Sequence, residues 1–174
     1  MSSAAEHRIA PRTRTRAAPV RRLGSVGVPD EIVFRFLDEG VAASARLLRE
    51  HAPETCRAVW ESLPAAGLAR HGVHSGSEVY LVLPVLLAPP QEHATTIVGP
   101  GDVGFLTVEK GSGYGIDESY SEVCWFYDLD ATPSMPEGPI AVNVFARLYD
   151  AETFFAVCRD MRLEGAKKLE IARR

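Results

Sequence analysis

From Glu31 onward the apolar residues of this chain recur at every second position. Ile32, Phe34 and Phe36 share one face of an extended run, with Val33 and Arg35 opposite, and a period of two marks a half-buried strand. Asp38-Glu39-Gly40 supplies a turn, and Val41, Ala43, Ala45 and Leu47 resume the alternation, so residues 31–47 read as a β-hairpin. Further β-runs fall at residues 68–74, 77–83, 102–108, 122–127, 142–149 and 167–172. Only two stretches have helical spacing. Pro53 suits a first helical turn, where its missing N–H costs nothing, and Cys56, Val59, Trp60 and Leu63 then line one face before Pro64 and Gly67 end the helix. Asp150 is placed to cap a second helix in which Phe154, Cys158 and Met161 recur, with Gly165 as its stop. Many short strands with one short helix near each end predict a mainly β protein. The expected form is a closed barrel of about eight strands, plugged by two short helices.

Length and charge set the domain limits. A chain of 174 residues fits one domain plus a tail. Residues 1–29 form an arginine-rich leader (Arg8, Arg12, Arg14, Arg16, Arg21, Arg22, with Glu6 as the acid), read as a solvated, disordered segment; residues 30–174 form the barrel domain. Because the whole chain has a formal charge of −4, the barrel itself is acidic, which argues against nucleic acid as a partner. The longest apolar run, 79–90, is interrupted by Pro84 and is too short to span a bilayer, so no membrane partner is expected. The leader lacks the apolar core of a secretory signal, and a cytoplasmic location follows. Cys56, Cys124 and Cys158 are widely spaced, show no CxxC pattern, and read as buried thiols.

Two motifs then resemble a known family. Ala52-Pro53-Glu54-Thr55 is similar to the start of the first cyclophilin helix. Val144-Phe145-Ala146-Arg147-Leu148, followed by a helix and by Lys167-Lys168-Leu169-Glu170-Ile171, resembles the last two cyclophilin strands. Leu63-Pro64, His74-Ser75-Gly76-Ser77-Glu78-Val79-Tyr80, Gly101-Asp102-Val103, Phe126-Tyr127 and Asn143-Val144-Phe145-Ala146 resemble a narrower group of small bacterial cyclophilin-like proteins of unassigned function. The likeness covers about residues 31–172 and implies a closed cyclophilin-like β-barrel. It does not imply prolyl isomerase activity. The isomerases' Phe-His-Arg run and Gln-Gly-Gly-Asp segment are both missing; the corresponding stretch reads Leu68-Ala69-Arg70-His71-Gly72-Val73-His74.

The residues that could carry chemistry lie in four places. His74 adjoins a tight Ser-Gly turn and can move protons near neutral pH. Glu78 and Tyr80 project to one side of the following strand, because side chains two apart share a face. His74 and Glu78 are therefore the acid/base candidates, with Tyr80 beside them; the alternative is a solvated Glu78 and a packed Tyr80. Tyr114, in the glycine-rich segment 111–115, and Tyr127, before a proline-rich segment, are candidates for covering a substrate. The glycines precede neither a helix nor a lysine and do not read as a phosphate cradle. Asn143, Phe145 and Arg147 share a face with Tyr149, while Val142, Val144, Ala146 and Leu148 face the core. The first set reads equally as a substrate-binding surface and as an ordinary outer barrel face or a contact between two copies of the chain. Glu92-His93 reads as a solvated loop pair.

No HxH or HxxxH spacing is present, so no metal is expected, and no cofactor motif occurs. No GxSxG elbow surrounds a serine. Two functional classes lead, with a slow peptidyl-prolyl isomerase as a weaker third. In one, the barrel binds a small molecule and acts on a carbonyl or amide group by positioning and proton transfer; in the other it is a non-catalytic binding or interaction module, of which a homodimer is one form.

Overall fold

The computed structural model describes residues 31–174; the leader expected at 1–29 lies outside the described residues. The chain runs β1 (Glu31–Phe36), β2 (Val41–Leu47), α1 (Pro53–Ser62), β3 (Ala65–His71), β4 (Glu78–Val82), β5 (Ala94–Thr95), β6 (Asp102–Val108), β7 (Tyr120–Phe126), β8 (Ser134–Met135), β9 (Gly138–Pro139), β10 (Val142–Tyr149), α2 (Glu152–Glu164) and β11 (Lys167–Arg173). The strands neighbour one another in the order β2-β1-β11-β3-β4-β7-β6-β10, and β10 pairs back onto β2. This closes an antiparallel barrel of eight strands, and closure leaves no free edge among them. The short β5 adds to the start of β10 on the edge opposite β6, and β8 with β9 forms a separate small hairpin.

The barrel interior is built from the alternating residues of the hairpin. Ile32, Phe34 and Phe36 are fully buried. Phe34 meets Trp125 edge-on at 5.3 Å, and Phe36 stacks on Phe154 of α2 at 4.7 Å. The α2 face of Phe154, Cys158 and Met161 is buried as its spacing requires, and the Trp125 indole N–H donates to the Cys158 sulfur at 3.3 Å. From α1, Cys56 and Val59 enter the same core, and the Cys56 thiol donates to the Phe145 carbonyl at 3.2 Å. All three cysteines are buried and none forms a disulfide.

Four local expectations need correction. The strand expected at 68–74 begins at Ala65, so Gly67 is not a helix stop. It pairs across from Leu169 within the sheet, where a Cβ would lie 3.2 Å from Leu81 Cδ1. Asp150 does not cap α2: it takes a positive φ of 49°, and Ala151 occupies the N-cap without a side-chain hydrogen bond. Glu92 is not a solvated loop residue. Its carboxylate accepts from the backbone N–H groups of Glu54 (3.2 Å) and Thr55 (2.9 Å) and from the Thr55 hydroxyl (3.0 Å), satisfying orphan donors of α1 from a distant part of the chain.

The fourth correction concerns β10. Val144 pairs with Gly104 but Ala146 pairs with Val103, so Phe145 is an extra residue opposite β6. A bulge of this kind resets the inside–outside phase of a strand. Phe145 turns into the barrel and is fully buried together with Ala146 and Leu148, whereas Val142 and Val144 join a second cluster. That second cluster comprises Leu106, Val108, Cys124, Phe126, Ala131, Val142 and Val144, with Tyr80, Ile116, Tyr120, Met135 and Ile140 against it. It draws on residues of β6 and β7 that alternate with the interior ones. These strands are therefore apolar on both faces, and the second face is where a site is built.

Candidate functional site

The outer face of β4 and β7 carries Glu78, Tyr80, Glu122 and Cys124. Cross-strand partners share a face, and Tyr80 pairs with Cys124 while Val82 pairs with Glu122. The connection 72–77, the segment 109–119 and the β8–β9 hairpin border this surface. Between them lies a cavity of about 250 Å³ lined by Gly72, Val73, His74, Ser75, Glu78, Tyr80, Tyr114, Ile116, Tyr120, Glu122, Ser134, Met135 and Pro136. His74, Glu78 and Tyr80, neighbours in sequence, are thus joined by Tyr114 from a distant segment.

The walls are held by specific contacts. The Ser75 hydroxyl donates to the Ser134 carbonyl (3.1 Å) and accepts from the Ser134 N–H (3.0 Å), while Thr132 N–H donates to the Ser75 carbonyl. Gly76, at φ 72°, approaches so closely that a Cβ there would lie 2.4 Å from the Asp130 carbonyl oxygen. On the far side, the Tyr114 N–H donates to Glu137 at 2.8 Å, which ties the glycine-rich segment to the β8–β9 hairpin.

Two carboxyls dominate the floor. Glu78 is only 5% exposed and Glu122 only 7%. Burial pushes the Glu78 carboxyl up from 4.5 to about 7, against the weaker pull of Ser75 and Cys124. Burial, with the charge of Glu78, pushes Glu122 up to about 8. Desolvation penalises the charged form, and a like-charged neighbour adds to it. Glu78 Oε2 is buried without a hydrogen-bond partner, an uncommon state for a buried polar atom. The phenols respond as expected. Tyr120 is raised to about 12 by burial, Glu122 and Tyr80, and Tyr80 is raised by burial and then by Glu122. Burial, Glu78 and Glu122 hold the Cys124 thiol far above its ordinary value, so it is no nucleophile at neutral pH.

Sequence reasoning reached Tyr120 only as a loop residue able to cover a pocket, and missed Glu122. The available signal was the lone carboxylate inside the apolar run 120–126.

The remaining candidates lie elsewhere. The Tyr127 phenol bridges His71 Nε2 (2.7 Å) and Arg162 Nε (2.8 Å). His71 Nδ1 is 2.8 Å from the Gly72 carbonyl, which makes Nδ1 the donor and leaves Nε2 to accept from the phenol. Arg162 also donates to Ser77 at 2.8 Å. Asn143 donates to the Thr55 hydroxyl (3.0 Å) and the Pro90 carbonyl (2.8 Å) and accepts from the Glu92 N–H (3.2 Å), so its amide serves the α1 junction. Phe145 has no exposed surface. Arg147 grips Asp102 with two N–H groups at 3.0 and 2.6 Å, beside His51 and His93 in a separate cleft. Among the described residues no group of three or more His, Cys, Asp or Glu side chains is placed to hold a metal ion. No helix among them is long and apolar enough to cross a membrane.

Residues 36–173 match the family described as a protein of unknown function, DUF3830. The chain belongs to that family. Among solved structures, the solution structure of the hypothetical protein AF2241 from Archaeoglobus fulgidus is similar with a TM-score of 0.55 and 24% identity, covering 87% of this chain and all of that one. McbB in complex with tryptophan is similar with a TM-score of 0.55 and 13% identity, over 82% of this chain and 44% of McbB. A mimivirus cyclophilin aligns at 0.49 and 11% identity over 84% of this chain and 88% of its own. No curated protein matches the sequence. The chain shares its closed antiparallel barrel with AF2241 and McbB, and these likenesses speak for the fold alone.

Proposed function

We propose that this DUF3830 protein binds a small organic molecule in the Glu78–Glu122 cavity and moves protons to or from it. The observation that carries the reading is the pair of buried carboxyls, Glu78 and Glu122, on the lining of that cavity, with Glu78 Oε2 left without a hydrogen-bond partner. A buried acceptor without a partner costs about 1–3 kcal/mol, a cost that functional sites retain more readily than structural ones do.

The carboxyl pair suits proton transfer. With one group raised to about 7 and the other to about 8, the pair titrates near neutral pH, as a general acid or base should. Between about pH 7 and 8 Glu78 is charged while Glu122 still holds its proton, so the cavity presents an acceptor and a donor at once. A carbonyl or amide group entering the cavity would meet both, with His74 at the mouth and the tyrosine rings as walls. A cavity of about 250 Å³ lies at the small end of ligand sites, which favours a ligand of modest size.

Protein-observed NMR with a small-fragment library tests the reading. Fragments should perturb amides of residues 72–80, 112–122 and 134–136, and the double variant His74→Ala/Glu78→Ala, shown folded by circular dichroism, should lose the response. Responses that survive in the double variant, or that map elsewhere, reject the site.

A further inference from the structure

We infer that the ligand of the Glu78–Glu122 cavity carries a positively charged nitrogen, as a substituted ammonium group. The inference rests on the cavity reading above and adds the sign of the ligand's charge. Its first support is the composition of the walls. Two carboxyls, three tyrosines and a histidine line the cavity, and none of its lining residues is a lysine or arginine. Arg70, which pairs with Tyr80 across the strands, lies outside the lining, and its guanidinium reaches the Leu68 carbonyl at 3.5 Å. Other shielded acids have a donor of their own: Asp102 has Arg147, Glu92 has the α1 N-terminus, and Glu39, whose Oε2 is also buried without a partner, has Lys167 on Oε1. Glu78 keeps a partnerless oxygen and meets no lysine or arginine on the cavity lining.

The second support is the aromatic content. Tyr80, Tyr114 and Tyr120 lie on the lining, and the π-face of a phenol attracts an ammonium group with about 0.5–2 kcal/mol, more when water is excluded. Carboxylates and aromatic rings together, with no competing base, form the chemistry that recognises organic cations. An anionic ligand would find no lysine or arginine on the lining to pair with.

The titratable groups beside the two carboxyls are Tyr80 on β4, Tyr120 and Cys124 on β7, and His74 and Tyr114 on the bordering segments, while Arg70 on β3 acts on the Tyr80 phenol. In the empty cavity the carboxyls hold protons up to about pH 7 and 8. A bound cation favours their charged forms, so binding releases protons to solvent and weakens as the pH falls.

Choline and its uncharged carbon isostere 3,3-dimethyl-1-butanol form a matched pair of probes, since neither ammonium nor alcohol titrates in the range of interest. Calorimetry on the full chain should show choline bound and the isostere bound at least about ten-fold more weakly. Choline should bind about ten-fold more weakly near pH 6 than near pH 8, as expected for competition with one proton on a group titrating near 7. Glu78→Gln and Glu122→Gln, which retain shape and remove charge, should each weaken choline binding and flatten its pH profile. Equal binding of both probes, abolished by Glu78→Gln, would overturn the charge assignment and leave the cavity reading standing. Tighter binding of pivalate than of choline would overturn the charge assignment as well. No Glu78-dependent binding of any of the three would overturn both.

Discussion

Replacing Glu78 by glutamine should make the protein more stable at alkaline pH. In the unfolded chain this carboxyl titrates near 4.5, and in the folded barrel burial raises it to about 7. Between those values the folded protein holds a proton that the unfolded chain has released. Stability associated with the group is therefore fully present below the unfolded pKa and is lost as the pH rises through the folded one. At about 1.36 kcal/mol per unit, the shift corresponds to about 3 kcal/mol above pH 8. Glutamine has nearly the same volume and never ionises, so this loss is absent from the variant. Glu122 also relaxes, since part of its own upward shift comes from the Glu78 charge. Urea denaturation of both proteins from about pH 4 to about pH 8.5 supplies the test. The variant should match the parent within about 1 kcal/mol at the acid end, where both side chains are neutral, and exceed it by about 2–3 kcal/mol at the alkaline end. A difference that stays constant across this range, or a variant that is less stable at high pH, would refute the reasoning.

Other substitutions probe the frame around the cavity. Asn143→Ala removes three hydrogen bonds at the α1 junction and leaves Thr55 and the Glu92 N–H short of partners; urea unfolding should show a loss of about 2–4 kcal/mol. Gly76→Ala forces a Cβ against the Asp130 carbonyl at a positive φ, and should lower thermal stability by about 2 kcal/mol or more while slowing no step at Glu122 directly. Tyr127→Phe breaks the bridge between His71 and Arg162 and should cost about 1–2 kcal/mol in urea, with ligand binding at Glu78 unchanged because the phenol does not line that cavity. The native thiols should resist a disulfide reagent until the protein unfolds, since all three are buried.

Much of the fold was legible because its signals are local. The hairpin of Ile32, Phe34, Phe36, Ala43, Ala45 and Leu47 announced itself by period two, and Phe154, Cys158 and Met161 by helical spacing. The β10 bulge was not legible, because a one-residue register change depends on how β6 lies against the strand. Reading Phe145 outward followed from assuming regular alternation. The caps were illegible for a related reason: α1 is capped by Glu92 across the fold, while Asp150, well placed in sequence, takes another conformation. The site divided along the same line. His74, Glu78 and Tyr80 were visible because they are neighbours in one strand and its approach. Glu122 escaped notice because β6 and β7 are apolar on both faces, which erases the alternation that would have marked its side of the sheet. Tyr127, Asn143 and Arg147 carry the right functional groups, but long-range partners hold them away from the cavity.

The central claim is that Glu78 and Glu122 form a buried pair whose protons leave near neutral pH. Carbon-13 NMR of the side-chain carboxyls, titrated in the parent protein and assigned with Glu78→Gln and Glu122→Gln, measures this directly. The account predicts two transitions, near 7 and near 8, with the Glu122 transition falling when Glu78 is replaced. Two independent transitions below about 5, in the ordinary carboxylate range, would contradict it.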